Sequence, residues 1–238
     1  MEKVNVGFRV YTNVRRAPKE LVEGFKGIPS SNIGDTMNRL YCMYDIRSMN
    51  NKAMLGTAIT IKAPMGDNVM LHRALDLAEP GDVLVVDARG TMNMSVVGEI
   101  MFTYAQTRGL AGIVIDGCIR DFESMHTLDI PVFAKGVTPQ GPFRFGPGEI
   151  NVPIACGGQV VFPGDIIAGD PDGIVVIRRE DAKYVVEEAR KKQDSETKKL
   201  EKYRAGELDS KEHTEMFDAL LRKAGVTYID RAFEEAEK

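Results

Sequence analysis

The chain has 238 residues, 43% of them hydrophobic and 28% charged, a balance that supports a folded core and excludes a disordered or fibrous chain. Its formal net charge of −4 supplies no basic field for a phosphate backbone, so nucleic acid is not an expected partner. No apolar run approaches the roughly 18–20 residues that cross a bilayer. Cys42, Cys118 and Cys156 are odd in number and widely spaced, which argues against a disulfide framework or a zinc cluster. The first sixteen residues lack the basic-then-apolar layout of a secretory signal, and the expected compartment is a reducing cytoplasm.

Two short helices are predicted first. Pro18 to Phe25 carries Leu21, Val22 and Phe25 at helical spacing, and Ser30 or Ser31 can cap a helix running through Asp35 to Tyr41. Leu55 to Ala63 alternates as a strand does, His72 to Leu77 has helical spacing, and Val83 to Val86 is an apolar run ending at Asp87. Gly98 to Arg108 is a predicted helix, Ile113 to Ile115 a strand, Phe122 to Leu128 a helix and Pro131 to Ala134 a strand. Short apolar runs alternating with helices point to βαβ units whose strands are buried on both faces.

Between Gly136 and Asp172 glycine and proline are dense, and short strands at 160–162, 166–168 and 174–177 are separated by Pro-Gly-Asp and Asp-Pro-Asp-Gly turns. The predicted core, residues 1–178, is therefore a mixed α/β body with more than one sheet surface. It has no Gly-x-Gly-x-x-Gly fingerprint, no P-loop and no Gly-rich adenosyl-binding loop after a first strand. Residues 179–238 read as a C-terminal helical arm. Asp181 to Tyr203 becomes almost wholly charged after Val185, Val186 and Ala189, Gly206 breaks it, and Thr214 to Ala224 carries Met216, Phe217, Leu220 and Leu221 on one face. A long helix with so little apolar stripe is not held by its own core, so the arm is expected to pack on another subunit.

The segment Asp116-Gly-Cys-Ile-Arg120-Asp121 follows a buried strand, and its Asp-Gly pair predicts a tight turn into a helix. Side chains at strand ends project into the ligand crevice of α/β proteins, and amides at a helix start favour anions. There the Arg120 guanidinium can grip a carboxylate with two parallel hydrogen bonds, and the Asp121 carboxylate can hold a hard cation such as Mg²⁺ or Mn²⁺. Taken alone, an Arg-Asp pair reads first as a local salt bridge with a helix N-terminal acid.

The segment resembles the signature of the 4-hydroxy-4-methyl-2-oxoglutarate aldolase family, which also contains oxaloacetate decarboxylases and the regulator of ribonuclease activity A. The likeness extends to Pro80-Gly81-Asp82 through Asp87, Gly98-Glu99, Pro131 through Pro139, and Pro163-Gly164-Asp165 followed by Asp172 to Ile177. It implies a β/β/α swivelling-domain-like core with an added arm. It also implies cleavage of a 4-hydroxy-2-oxo diacid to pyruvate, with decarboxylation of oxaloacetate as a side activity. By the same resemblance Asp121 binds the divalent metal directly and Arg120 binds the pyruvate moiety. The helix-start amides from Gly98 through Glu99 and Ile100 to Met101 hold the substrate carboxylate. Glu99 and Glu196 match acids that hydrogen-bond the metal's waters, the second reaching in from a neighbouring subunit of a trimer or hexamer, although Leu200 stands where the family often has Arg. Glu99 alone is equally well read as a first-turn helix acid.

Among the remaining polar residues, His72, His126 and His213 lack metal-ligand spacing and read as surface or packed histidines. Cys118 reads as a buried structural thiol. Lys62 and Lys135 follow strand-like runs and leave a Schiff-base mechanism open as a minor alternative. A non-catalytic protein that inhibits a ribonuclease is the alternative from another functional class.

Overall fold

The computed structural model describes residues 5–207 and 210–232. In chain order these form α1 (Lys19–Glu23), α2 (Ser30–Thr36), β1 (Arg47–Ser48), β2 (Met54–Lys62), α3 (Val69–Leu77), β3 (Asp82–Val97), α4 (Glu99–Thr107) and β4 (Gly112–Ile119). A 3₁₀ turn (Phe122–His126) then leads to β5 (Val132–Val137), β6 (Glu149–Ile150), β7 (Ile154–Cys156), β8 (Gln159–Val161), β9 (Ile166–Asp170) and β10 (Gly173–Ile177). Two helices close the chain, α5 (Ala182–Arg204) and α6 (Ser210–Lys223). The chain divides into two compact units, the first ending at Gln193 and the second beginning at Asp194, so the division falls inside α5.

The main sheet of the first unit runs β1-β5-β4-β3-β2-β9-β10, with β6 paired to β2, and β7–β8 forms a separate two-stranded sheet. The pairs β2–β3, β3–β4 and β4–β5 are parallel. They are crossed by α3, α4 and the 3₁₀ turn, which is the βαβ pattern expected from the alternating runs. Residue alternation sorts the core into two layers. Ile59, Ile61, Leu84, Val86, Ile113 and Ile115 pack with Leu71, Leu75 and Phe102 of the helices. Ala58, Val83, Val85, Val114 and Phe133 pack on the opposite face with Ile154 and Val161 of the small sheet. The architecture is thus helices on a large mixed sheet on a small sheet, the mixed β/β/α core expected from the sequence.

Three local expectations are corrected. The second helix stops at Thr36, short of Tyr41, because Asn38 and Arg39 adopt left-handed φ values of 55° and 64°. The strand beginning at Asp82 does not end at Asp87 but continues irregularly to Val97. And Asp116-Gly117 is no turn: both residues lie within β4, the turn comes at Asp121 with φ 58°, and the helix beyond it is only a five-residue 3₁₀ turn. Gly117 is present for close approach, since a Cβ there would lie 3.1 Å from the Ala88 Cβ. Asp116 is held by the Gly157 N–H at 2.8 Å and by the Lys135 ammonium at 2.8 Å.

The start of α5 belongs to the core layer, with Ala182, Val185 and Ala189 buried against Ile166 and Ile177. Arg190 donates hydrogen bonds to the carbonyls of Gly24 and Lys26 at 2.8 and 2.9 Å, which anchors this half of the helix. In the second unit α6 leaves Met216, Phe217, Leu220 and Leu221 exposed. No helix among the described residues is long and apolar enough to cross a membrane.

Candidate active site

The register of β3 on β4 builds the site. After Asp87 pairs with Asp116 the register shifts three times, until Val97 lies opposite Ile119. Gly98, the residue before α4, therefore sits beside Arg120 and Asp121 at the C-terminal end of β4. The Arg120 N–H donates to the Val97 carbonyl at 3.0 Å and fixes this edge.

Asp121 Oδ2 accepts the Glu99 N–H at 3.0 Å and lies 3.5 Å from Arg120 Nε. One carboxylate oxygen thus satisfies a free amide at the start of α4, not of the turn that follows Asp121 in sequence as the local reading expected, while the local salt bridge with Arg120 is present. The other oxygen, Oδ1, has no hydrogen-bond partner among the described residues, and both side chains are 41% exposed. Gly98 is extended, with φ −144°, and is required by proximity rather than by conformation. A Cβ there would lie 2.4 Å from Asp121 Oδ2 and 2.9 Å from Arg120 Cγ and Nε. On the far side, a Cβ at Gly141 would lie 2.8 Å from an Arg120 terminal nitrogen, so two glycines clear the path of this arginine.

Behind the pair is a cavity of about 60 Å³ lined by Asn68, His72, Gly98, Met101, Arg120 and Arg144, among others. Asn68 is 2% exposed, and its Nδ2 donates to the Val96 carbonyl at 3.0 Å. Asn68 Oδ1 and His72 Nε2 are buried without a hydrogen-bond partner among the described residues. Burial, and then the charge of Arg144, pull the His72 imidazole below its usual range, against a smaller opposing pull from Asp76. Asp67 ties the walls together: its carboxylate accepts N–H groups from Val69 at the head of α3 and from Phe145 and Gly146 in the loop bearing Arg144, at 3.0, 2.6 and 3.0 Å.

Of the residues expected at the site, Gly98, Glu99, Ile100, Met101, Arg120 and Asp121 meet here. Glu99 and Ile100 are exposed and Met101 is buried. Glu196 is half-buried on α5 and belongs to the second unit. Asn68, His72 and Arg144 were not anticipated at the cavity, where His72 is a partly buried histidine as expected. Its spacing of four from Asn68 on one helix face was the available signal. Arg144 carried none, because a loop residue reaches the cavity only through the tertiary fold.

The hydrogen bond to Asp116 holds the Lys135 ammonium above its usual range despite burial, which makes it a poor amine nucleophile at neutral pH. Burial pushes the Cys118 and Cys156 thiols up as well, in keeping with structural cysteines. A larger hollow of about 810 Å³ opens at the N-terminal ends of β2 and β3. Two of its carboxylates are already engaged, Asp82 by Arg16 at 2.7 Å and Asp170 by the Ser30 hydroxyl at 2.7 Å, whereas the smaller cavity adjoins Arg120.

Residues 30–176 match the family model described as RraA-like, Aldolase/RraA. The chain belongs to that family. It is 38% identical over 180 residues, covering 75% of this chain and 86% of the relative, to a Halalkalibacterium halodurans protein named "Putative 4-hydroxy-4-methyl-2-oxoglutarate aldolase". Among solved structures, an uncharacterized protein from Pseudomonas syringae pv. tomato aligns with a TM-score of 0.72 at 23% identity, covering 82% of this chain and 96% of that one. The RraAS2 structure from Streptomyces coelicolor, titled as an unusual member of the RNase ES inhibitor RraA protein family, aligns at 0.71 with 28% identity, covering 78% of this chain and all of the other. The RraA-like family therefore includes proteins named for an aldolase and proteins named for inhibiting a ribonuclease, and the site chemistry has to weigh one against the other.

Proposed function

We propose that this RraA-like chain is a divalent-metal-dependent aldolase that cleaves a 4-hydroxy-2-oxo diacid, such as 4-hydroxy-4-methyl-2-oxoglutarate, to release pyruvate, and decarboxylates oxaloacetate as a side reaction. The observation that carries the reading is the convergence of the Arg120 guanidinium and the Asp121 carboxylate on the α4 start, with Gly98 pressed between them.

Among the described residues no three His, Cys, Asp or Glu side chains cluster as a metal cage. The donor set suits a cation that keeps most of its water: Asp121 Oδ1 is a hard oxygen ligand with no competing hydrogen bond among the described residues, and Mg²⁺ commonly uses one or two carboxylates plus substrate and water. Mg²⁺ or Mn²⁺ held there would supply Lewis acidity at the 2-oxo group. Arg120 faces the same oxygen and stabilises the negative charge that develops on it. The free α4 amide at Ile100 is assigned to the 1-carboxylate, the Met101 N–H being committed to the Gly98 carbonyl at 3.0 Å. Cleavage removes the 4-hydroxyl proton and breaks the C3–C4 bond, whose electron pair becomes the C2–C3 enolate. Protonation at C3 gives pyruvate, and C4 leaves as a carbonyl. Glu99, and Glu196 from a neighbouring subunit, are the acids assigned to orienting the water that accepts the proton. Oxaloacetate loses CO₂ to the same enolate, so the same residues serve both reactions.

The test is pyruvate release from a panel of 4-hydroxy-2-oxo acids and oxaloacetate, with and without Mg²⁺. Release that requires the metal supports the reading, and no release from any substrate overturns it. The second reading, a non-catalytic ribonuclease inhibitor, is favoured by the Streptomyces coelicolor likeness. It predicts binding to a ribonuclease that survives the loss of Arg120 and Asp121.

A further inference from the structure

The larger hollow lies at the opposite end of the sheet from Arg120. It opens where β2 and β3 begin to pair, at Thr57 and Asp82, whereas Gly98 and Arg120 follow the far ends of β3 and β4. The two cavities share no lining residue. At about 810 Å³ the hollow falls within the ~300–1,000 Å³ of sites that enclose a whole small molecule. Its walls are largely apolar: Val22, Phe25 and Ile28 come from α1 and the linker after it, Met54 and Leu55 from β2, and Ala168 from β9.

The charged groups around these walls are matched, with one exception. Arg16 pairs with Asp82 at 2.7 Å and with Glu79 at 3.2 Å, and Lys19 with Glu23 at 3.7 Å. Asp170 gives one oxygen to the Ser30 N–H and the other to the Ser30 hydroxyl, each at 2.7 Å. The Lys26 ammonium, exposed at the edge, has no ion pair among the described residues. Its main chain is nonetheless fixed. Arg190 of α5 donates to the carbonyls of Gly24 and Lys26 at 2.8 and 2.9 Å, and Gln193 to that of Gly27 at 2.7 Å. An apolar enclosure with one unmatched ammonium at its edge suits a molecule with an apolar body and a single anionic end, which a flexible lysine meets at the water boundary.

We propose that this hollow is a second ligand site, for a monocarboxylate with an aromatic or branched apolar body. The body lies against Phe25, Met54 and Leu55, and the carboxylate faces Lys26. Neither the ligand nor the walls belong to the Arg120 junction, so the site is independent of the aldolase reading. The linker that forms one wall is the one gripped by Arg190 and Gln193, so an occupied hollow also braces the anchored half of α5.

Two probes of nearly equal shape, 4-phenylbutanoate and 4-phenylbutan-1-ol, test the site by calorimetry on the full chain. Both should bind at millimolar concentration or below, the acid about three- to fivefold more tightly, which is what an exposed ion pair supplies. Lys26→Met should remove that preference by weakening the acid alone. Ala53 is exposed and lines the hollow, so Ala53→Trp should fill it without entering the core and weaken both probes about tenfold or more. Asp121→Ala should change neither affinity, and excess pyruvate with Mg²⁺ should not compete. Hydrogen exchange should slow on adding 4-phenylbutanoate at residues 20–28 and 186–193. Failure of both probes to bind at millimolar concentration, equal wild-type affinities, displacement by pyruvate, or wild-type binding by Ala53→Trp overturns the proposal. If Ala53→Trp instead lowers the size of the assembly in light scattering, the hollow is an interface between copies of the chain and the ligand site falls.

Discussion

Substituting Gly98 by alanine should inactivate the protein without unfolding it. Its φ of −144° is extended backbone open to any residue, so the main chain itself gives no reason for loss of stability. The added Cβ would stand 2.4 Å from Asp121 Oδ2, where ordinary contact begins at 3.4 Å, so the carboxylate must retreat by about 1 Å (3.4 − 2.4). Arg120 Cγ and Nε, at 2.9 Å, must retreat by about half as much. The bond from the Glu99 N–H, now 3.0 Å, would lengthen or break with that movement. A misplacement of about 1 Å at reacting groups costs on the order of 100-fold in rate, or about 2.7 kcal/mol of transition-state stabilisation. Steady-state pyruvate release, coupled to lactate dehydrogenase, measures kcat/KM, and a thermal melt run alongside separates the site from the fold. A Gly98→Ala protein with kcat/KM within threefold of wild type would show that the Arg120–Asp121–α4 junction is not where the chemistry happens. A melting temperature lowered by more than about 8 °C would show that Gly98 serves the fold instead.

Arg120→Lys keeps the charge but loses the planar fork, and should lower kcat/KM by roughly 2–4 kcal/mol, or about 30- to 1,000-fold. Kinetics near normal would reduce Arg120 to a local salt bridge. Asp121→Asn can still accept the Glu99 amide but has no charge, so it should melt like wild type while losing Mg²⁺ binding by calorimetry and pyruvate release. Full activity of the wild type in EDTA would instead redirect attention to a lysine Schiff base, detected by borohydride trapping. The hydrogen bond from Arg9, outweighing burial, holds the Glu149 carboxyl below the usual carboxylate range. Its contribution to stability is complete above the unfolded carboxylate pKa, about 4.3, and is lost as pH falls through the lower folded value. Glu149→Gln should accordingly flatten the acid limb of a stability-versus-pH curve, and an unchanged limb would refute that role. Mixing inactive Asp121→Ala chains with inactive Glu196→Ala chains should restore some turnover if a neighbour completes the site. Mixed chains that exchange subunits and stay inactive would count against a shared site.

What the sequence disclosed and what it hid follow from how local each feature is. Ile113 to Ile115 declares a buried strand by composition alone, and Gly98 before an amphipathic run marks a helix start. Both sit where expected. Asp116-Gly117 misled because Asp-Gly has strong turn chemistry, while its real determinants are distant. Asp116 is paired with Lys135 on β5, and Gly117 makes room for Ala88 on β3. The continuation of β3 past Asp87 was hidden for a similar reason. Arg89 and Gly90 take left-handed φ values of 61° and 63°, which reads as a chain break although the strand resumes beyond them. Arg120 and Asp121 were found because they adjoin in sequence. Asn68 and His72 come from the head of α3 and its first turn, Arg144 from a loop more than seventy residues later, and only packing unites them.

The Asp67 anchor has a consequence for how this protein can change over time. It grips the main chain at positions 145 and 146, the carbonyl at 143 accepts the Asn68 N–H at 3.1 Å, and the side chain at 144 takes no part in any of these bonds. Position 144 is therefore mechanically fixed but chemically uncommitted. A neutral or acidic residue there would change the charge at the rim of the cavity while the loop keeps its path and the fold its melting point. Asp67 itself has no such latitude: removing its carboxylate would strip three amides of their acceptor at once, so variation should concentrate one loop away from the residue that makes it harmless.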